Sequence, residues 1–547
     1  MVNCIGRLGG LTCGLLFSLS PIAMEDEWSF DELSTVVSAS RINQTVLSAP
    51  NAVTIIDSAM IETSGFTKIA DIFRLVPGMN VAHVNGRRYA VSYHGGNWDD
   101  TNWLQVLVNG RSAFMSNLSV IDWDVLGVEL EDIEKVEIIR GPSASAYGSN
   151  SFAAAINIIT KPIALQNDWT ASTRFGIDHD QRNFARFTTS IDDANLRLTL
   201  NTVRYRGFSE MDDSKELYSA QFGYEQPFGK NDQINAYGHY SFGETGYQPP
   251  VEEANNDPRP RTLDSYAGQI TWERSLDNQN SLETQIHHTV RNEDNFKLSP
   301  TIQELLPDDL TGTPFEDNAD ERFPTGRETF FTTKTQIETQ YSWLNQQGFR
   351  AVGLLGIKRD TFESLPLTSG NNTFEQYTAF AGINTEIQLG DKIDINLGLL
   401  AEKQNDDQVY FSPRLSLNLF ISPLQSIRLT HSVARRLPTL LEKHLDIALY
   451  TSDGDLFNRV SVPDDHLTPV ILSNYEVGYT GRSRQKAIDW NFSLYHMEVD
   501  NIVWINYIPD PTDPVDGYYL SLQNGGFYST SGVEGEITYR PSQYNMY

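Results

Sequence analysis

The sequence predicts a mainly β chain: a transmembrane antiparallel barrel entered through a smaller α+β domain. Three observations predict it. From about Trp169 onward, segments of about ten residues alternate apolar and polar side chains, as in TLNTVRYRGF, ETQIHHTVRN and KIDINLGLLAEK. The connections alternate between short turns, such as Gln226 to Asn231, and long polar insertions. No later segment has ~18 consecutive apolar residues, so a membrane can be crossed here only by a closed set of strands.

The elements are justified in chain order. At the start, MVNCIGRLGGLTCGLLFSLSPIAMEDEW places Arg7 ahead of an apolar run and small Ala23 ahead of an acidic stretch, which reads as an export signal over residues 1–23. Both cysteines, Cys4 and Cys13, fall inside it, so the processed chain carries no disulfide. Thr12 before Cys13, and the apolar run beyond it, argue against a lipoprotein. Export without disulfides suits a Gram-negative envelope. The 547 residues, with 39% hydrophobic content, are enough for one large β architecture, and a net charge of -30 excludes a nucleic-acid partner.

Residues 48–162 mix helix and strand signals. KIADIFRLVPG fits a short helix stopped at Pro77 and Gly78, and LQVLVNG fits a strand entering a turn at Asn109 and Gly110. From residue 163 the alternating segments take over. Aromatics near their ends (Tyr237, Tyr240, Phe242, Trp272, Tyr341, Trp343, Tyr410, Phe411, Trp504, Tyr507) fit interfacial girdles. The insertions at Gly246 to Thr262, Ser299 to Gly326, Ser364 to Glu375 and His444 to Thr468 face outside. A soluble sandwich or propeller also alternates, but no repeat of blade length occurs.

Three stretches carry a family resemblance: PNAVTIIDSAMIETSGFTKIADIFRLVPGMNV, VLVNGR and LEDIEKVEIIRGPSASAYGSNSFAAAINIITK. They resemble the plug domain of TonB-dependent outer-membrane receptors of the ferric-siderophore type. In the barrel, HSVARRLPTLLEKH, SNYEVGYTG and SGVEGEITYRP are similar to motifs of the same family. The resemblance implies a plug at 48–162 inside the lumen of a barrel at 163–547. It also implies a truncated C-terminus, because plugged transporters close with 22 strands and about 16–18 are countable here.

The resemblance implies functional residues as well. In the periplasmic segment 24–47, Leu33, Ser34, Thr35, Val36, Val37, Ser38 and Ala39 look like a TonB box, which pairs as an added strand with a TonB-type energising protein. Read without the family, they are simply the first strand of the plug. Arg140, ending the strand before the small-residue stretch, is expected to meet barrel carboxylates from Glu476, Glu534 and Glu536. The family usually shows an Arg-Gly pair where this chain has VSYHGG, so His94 stands as the second member of that plug-barrel lock. Arg87, Arg88, Tyr89, Trp98 and Trp103 are candidates for a ligand site at the plug apex, or for capping the plug.

The function implied is import of a small extracellular ligand through the outer membrane, chiefly a ferric siderophore, with haem, cobalamin and saccharides as other ligands of the fold. No cofactor is expected beyond iron within the transported ligand, and no metal site or catalytic residue. A secreted β-rich enzyme or binding protein is the other class, against which stands the lack of HExxH, GxSxG or a paired-carboxylate constellation.

Overall fold

A computed structural model describes residues 35–36, 39–86, 88–95, 103–115, 121–166, 169–176, 180–208, 211, 213–247, 259–277, 279–295, 297–299, 301–306, 315–325, 329–345, 348–370, 372–405, 408–464, 466–484, 488–510 and 517–539. Within residues 52–160, five strands form a sheet in the order Ala52–Asp57, Ile133–Arg140, Ala154–Thr160, Leu104–Val108, Arg111–Ser112. The pairing of Leu104–Val108 with Ala154–Thr160 is parallel and the others are antiparallel. The β-branched residues of these strands make the core: Val106, Val136, Ile138, Ile156 and Ile158 are all fully buried.

The local signals explain the connections. Lys68 opens the short helix Ile69–Ile72, which tightens into a 3-10 turn at Phe73–Leu75 before Pro77 and Gly78. Asn109 and Gly110 both take left-handed backbone, at φ 48° and 82°, and turn the chain straight back into Arg111–Ser112. After Arg140 the small residues make one helical turn, Ala144–Tyr147, between Gly141 and Gly148, both with φ of 85°.

The rest of the chain is one antiparallel sheet of sixteen strands among the described residues, running in sequence order from Trp169–Phe175 to Phe527–Tyr539. Its faces are inverted relative to a soluble sandwich. On Ala194–Tyr205, Leu198 and Leu200 face out at 45% and 48% exposed, while Arg197, Thr199 and Asn201 face in and are buried. Ile393–Gln404 repeats this, with Leu397 and Leu399 outside and Asp394, Asn396 and Glu402 inside. An apolar outer band around a polar interior is what lipid requires of a barrel. The inner face is buried because the small domain occupies it: Arg186 bonds Asp132, Gln285 bonds the Asn109 carbonyl, Asn384 bonds the Ser145 carbonyl and Glu534 bonds Arg140.

Two sequence expectations are corrected, and one insertion proves to be structured. The strands reach 16 and 17 residues, as in Asp232–Tyr247 and Arg259–Ser275, because ladder pairing continues past the membrane-thick part of each hairpin. Trp504 and Tyr507 are not girdle residues: they lie on Val503–Pro509, in a separate four-stranded sheet that joins Ile447–Tyr450 and Leu456–Val462 to the hairpin of Val503–Pro509 and Tyr518–Asn524. The insertion after Ser299 contains structure, a helical turn at Ile302–Leu305 with a reciprocal Thr301–Glu304 capping box.

The inverted faces predict a position-specific cost. Leu399→Arg puts a cation on the lipid side near mid-strand and should destabilise the barrel by about 2–4 kcal/mol in urea unfolding from lipid vesicles. Leu399→Ile should be close to neutral. Equal stability of the Arg variant would mean that this face does not meet hydrocarbon.

Candidate functional site

One buried, charged contact between plug and barrel is centred on Glu534. Arg140, with no exposed surface, donates from Nη1 to Glu534 Oε2 at 2.9 Å, and its Nη2 lies 3.8 Å from Glu536 Oε2. Tyr93 donates its hydroxyl to Glu534 at 3.1 Å, and His94 Nε2 bonds the other Glu534 oxygen. Glu536 also accepts from the Thr54 hydroxyl at 2.7 Å. One carboxylate therefore gathers a guanidinium, an imidazole and a phenol, and burial strengthens each attraction by removing water.

Local backbone makes the cluster possible. His94 sits at φ 53°, a left-handed conformation uncommon for a side-chain-bearing residue, and is stacked between Tyr93 and Tyr495 with centroids 3.8 and 3.7 Å away. The Tyr528 hydroxyl donates to its carbonyl at 2.8 Å. Gly78, at φ 76°, is required on a second count, because the Glu534 carboxylate fills the space a Cβ would need. The small residues after Arg140 serve the same closeness further round the wall: a Cβ on barrel Gly398 would meet the Ser145 hydroxyl at 2.6 Å, and Asn384 donates to the Ser145 carbonyl at 2.9 Å.

Glu476 does not join Arg140. It pairs with Arg428 at 2.5 Å and accepts from Ser493 at 3.2 Å. The reason is register: Thr430 is opposite Glu476 in the ladder, so inward-facing Arg428 is its diagonal neighbour within the wall.

The remaining candidates divide. Arg87, Trp98, Leu33, Ser34, Val37 and Ser38 lie outside the described residues. Arg88 is half-buried, with its backbone N–H on Asn85. Tyr89 is buried and meets His83 edge-on at 4.5 Å. Trp103 is half-buried against Phe152 and Tyr528. Thr35 and Val36 pair with Thr45 and Gln44, and Val36 and Ala39 are fully buried with Ala49, Val53, Ile139 and Ala155.

Two further contact zones were missed in the sequence. Carbonyls of residues 39–50 accept from the wall: Ala39 from Arg414 at 2.8 Å, Leu47 from Ser426 at 2.9 Å, Ser48 from Asn418 at 2.8 Å and Pro50 from Thr430 at 2.8 Å. Nothing in the composition of 39–50 signals this, since backbone does the accepting. The second zone is acidic plug chain meeting basic barrel wall: Asp122 with Arg291, Asp124 with Lys215, Glu129 and Glu131 with Arg182, and Asp132 with Arg186, at 2.5–2.8 Å. A signal for it did exist, in Arg182 and Arg186 on the inward phase of QRNFARF opposite a run of acids. Burial raises the Glu129 carboxyl above its usual range. Burial acts the same way on Glu131, but the hydrogen bond and charge of Arg182 outweigh it and leave that carboxyl below its usual range.

Comparison with known proteins agrees with this geometry. The family model TonB-dependent Receptor Plug Domain matches residues 45–155. The chain is 24% identical over 516 residues to the vitamin B12 transporter BtuB of Vibrio vulnificus, covering 91% of this chain and 75% of that one. It is 31% identical over 170 residues to the iron-regulated outer membrane virulence protein of Vibrio cholerae, covering 30% and 25% respectively. Among solved structures, the siderophore receptor PirA of Pseudomonas aeruginosa superposes with a TM-score of 0.65 at 16% identity, over 88% of this chain and 81% of that one.

The Glu534 cluster predicts an asymmetric response. Arg140→Ala leaves Glu534 buried without its guanidinium, at a cost of about 3–5 kcal/mol, and should let small solutes leak through barrels reconstituted in vesicles. Gly78→Ala should do the same by displacing the carboxylate. Glu476→Gln should leave the leak rate unchanged, because its partner belongs to the wall; a leak equal to that of Arg140→Ala would place Glu476 in the cluster after all.

Proposed function

This chain belongs to the TonB-dependent outer-membrane receptors of Gram-negative bacteria, and we propose that it imports a ferric siderophore or related metal chelate with energy transmitted by a TonB-type protein. The observation that carries the import reading is the way the plug is held. Its N-terminal segment, the part nearest the expected TonB box, is attached to the wall by one ion pair, Arg41 with Glu338, and otherwise through backbone carbonyls, mostly by uncharged donors worth about 0.5–1.5 kcal/mol each. The acidic stretch 122–132 and Arg140 are attached by buried ion pairs, whose disruption costs several times as much.

A pull applied at residues 33–39 therefore loads these contacts, with their single ion pair, before the several ion pairs of 122–140. Ala52–Asp57, the next element, is an edge strand of the plug sheet, paired among the described residues only with Ile133–Arg140. Its removal opens space along the wall while the rest of the plug stays anchored. Val36 and Ala39 must leave their buried positions before they can add a strand to a partner, so recruitment of the energising protein is coupled to release of this segment.

The iron reading draws support from the named siderophore and iron-regulated proteins that the chain is similar to. A cobalamin reading is favoured by the long match to BtuB. Growth of a deletion strain, complemented with this chain, on a panel of ferric chelates and on limiting cobalamin separates the two: rescue by chelates alone supports iron, rescue by cobalamin alone overturns it.

The coupling predicts that Val36→Pro abolishes uptake while surface binding of the ligand persists, since proline removes a donor from the added strand. Uptake at the parental rate in radiolabelled transport assays would remove these residues from the coupling step.

A further inference from the structure

A cavity of about 250 Å3 lies between the plug and the outer ends of the first barrel strands. Tyr89 and Trp123 of the plug and Val203, Tyr205 and Leu217 of the barrel give it aromatic and aliphatic walls. Five cations line it, and four have carboxylate partners: Arg174 with Glu131, Arg182 with Glu129 and Glu131, Arg204 with Glu216, and Lys215 with Asp124.

Lys68 is different. Its ammonium lies over two ring faces, 4.3 Å from the centroid of Tyr205 and 5.4 Å from that of Tyr89, with no hydrogen-bond acceptor or carboxylate in contact among the described residues. Burial and the neighbouring Lys215 lower its pKa from the usual lysine range, as befits an ammonium without a bound counter-ion. The carboxylates on the wall are engaged elsewhere, Asp124 by Lys215, Glu129 by Arg182 and Asp180 by the backbone N–H of Arg206. Beside Lys68, the buried Tyr89 ring forms part of the wall.

We infer that this cavity binds a single-ring aromatic carboxylate, whose carboxylate pairs with Lys68 while its ring packs among Trp123, Tyr205 and Leu217. The volume suits one substituted ring rather than a drug-sized ligand. The inference rests on the receptor reading only for the direction of entry, from outside, because strand ends 174–182 and 204–215 lie on the long-loop side of the barrel.

Calorimetric titration of the purified chain in detergent with benzoate tests it. The expected result is one saturable site, weakened about tenfold or more in Lys68→Met and in Tyr205→Leu and preserved in Lys68→Arg, with benzamide, the uncharged analogue, at least about tenfold weaker than benzoate. No benzoate binding to the wild-type chain, equal affinity in Lys68→Met, or equal affinity for benzamide overturns the site. Titration needs no energising partner, so absent transport with benzoate binding intact counts against the import reading alone, and intact transport without benzoate binding counts against this cavity alone.

Discussion

A barrel that turns a polar face inward must satisfy that face, and the structure of this chain depends on the plug doing so. Arg186, Asn384, Asn396, Arg414 and Glu534 are all buried, and each ends on a plug atom. Without the plug, they would need water in a wide channel or partners within the wall, as Glu476 has in Arg428. Wall and plug are thus energetically one object, even though their secondary structures are separate.

The plug is held by ion pairs along 122–140 and mainly by its backbone along 39–50. Charge flows both ways across the interface: Arg140 is a plug cation on barrel acids, while Asp122, Asp124, Glu129 and Asp132 are plug acids on barrel cations. Both are buried, so neither yields without leaving an unpaired charge. The segment from Ala39 to Pro50 has one such pair in its wall contacts, Arg41 with Glu338, and otherwise offers carbonyls, which water can replace at little cost.

Glu534 shows how finely the closed state is specified. Its position needs Gly78 without a Cβ, His94 in left-handed backbone, and two tyrosine rings holding the imidazole flat. Where the resemblance leads one to expect an arginine, this chain has an imidazole stacked between two rings. The smaller imidazole reaches Glu534 only because it is clamped, and the strain at φ 53° is offset by that packing.

By itself the sequence determined whatever is encoded locally. Two-residue alternation reveals a strand and its two faces before any partner is known, so the barrel, its polar interior and the plug's β-branched core strands were legible, as were the turn at Asn109 and Gly110 and the buried role of Arg140. Tertiary structure decided what depends on register between distant strands. Arg140 lies against Glu534 and Glu536 and not Glu476, because the ladder sets Arg428 diagonal to Glu476. Trp504 and Tyr507 leave the membrane band because their hairpin pairs with another loop. Lys68 stands over Tyr205 only once plug and barrel are assembled. A side chain's face is a property of its own strand; its partner is a property of how many residues separate it from the turn on each of two strands, and no local pattern carries that count.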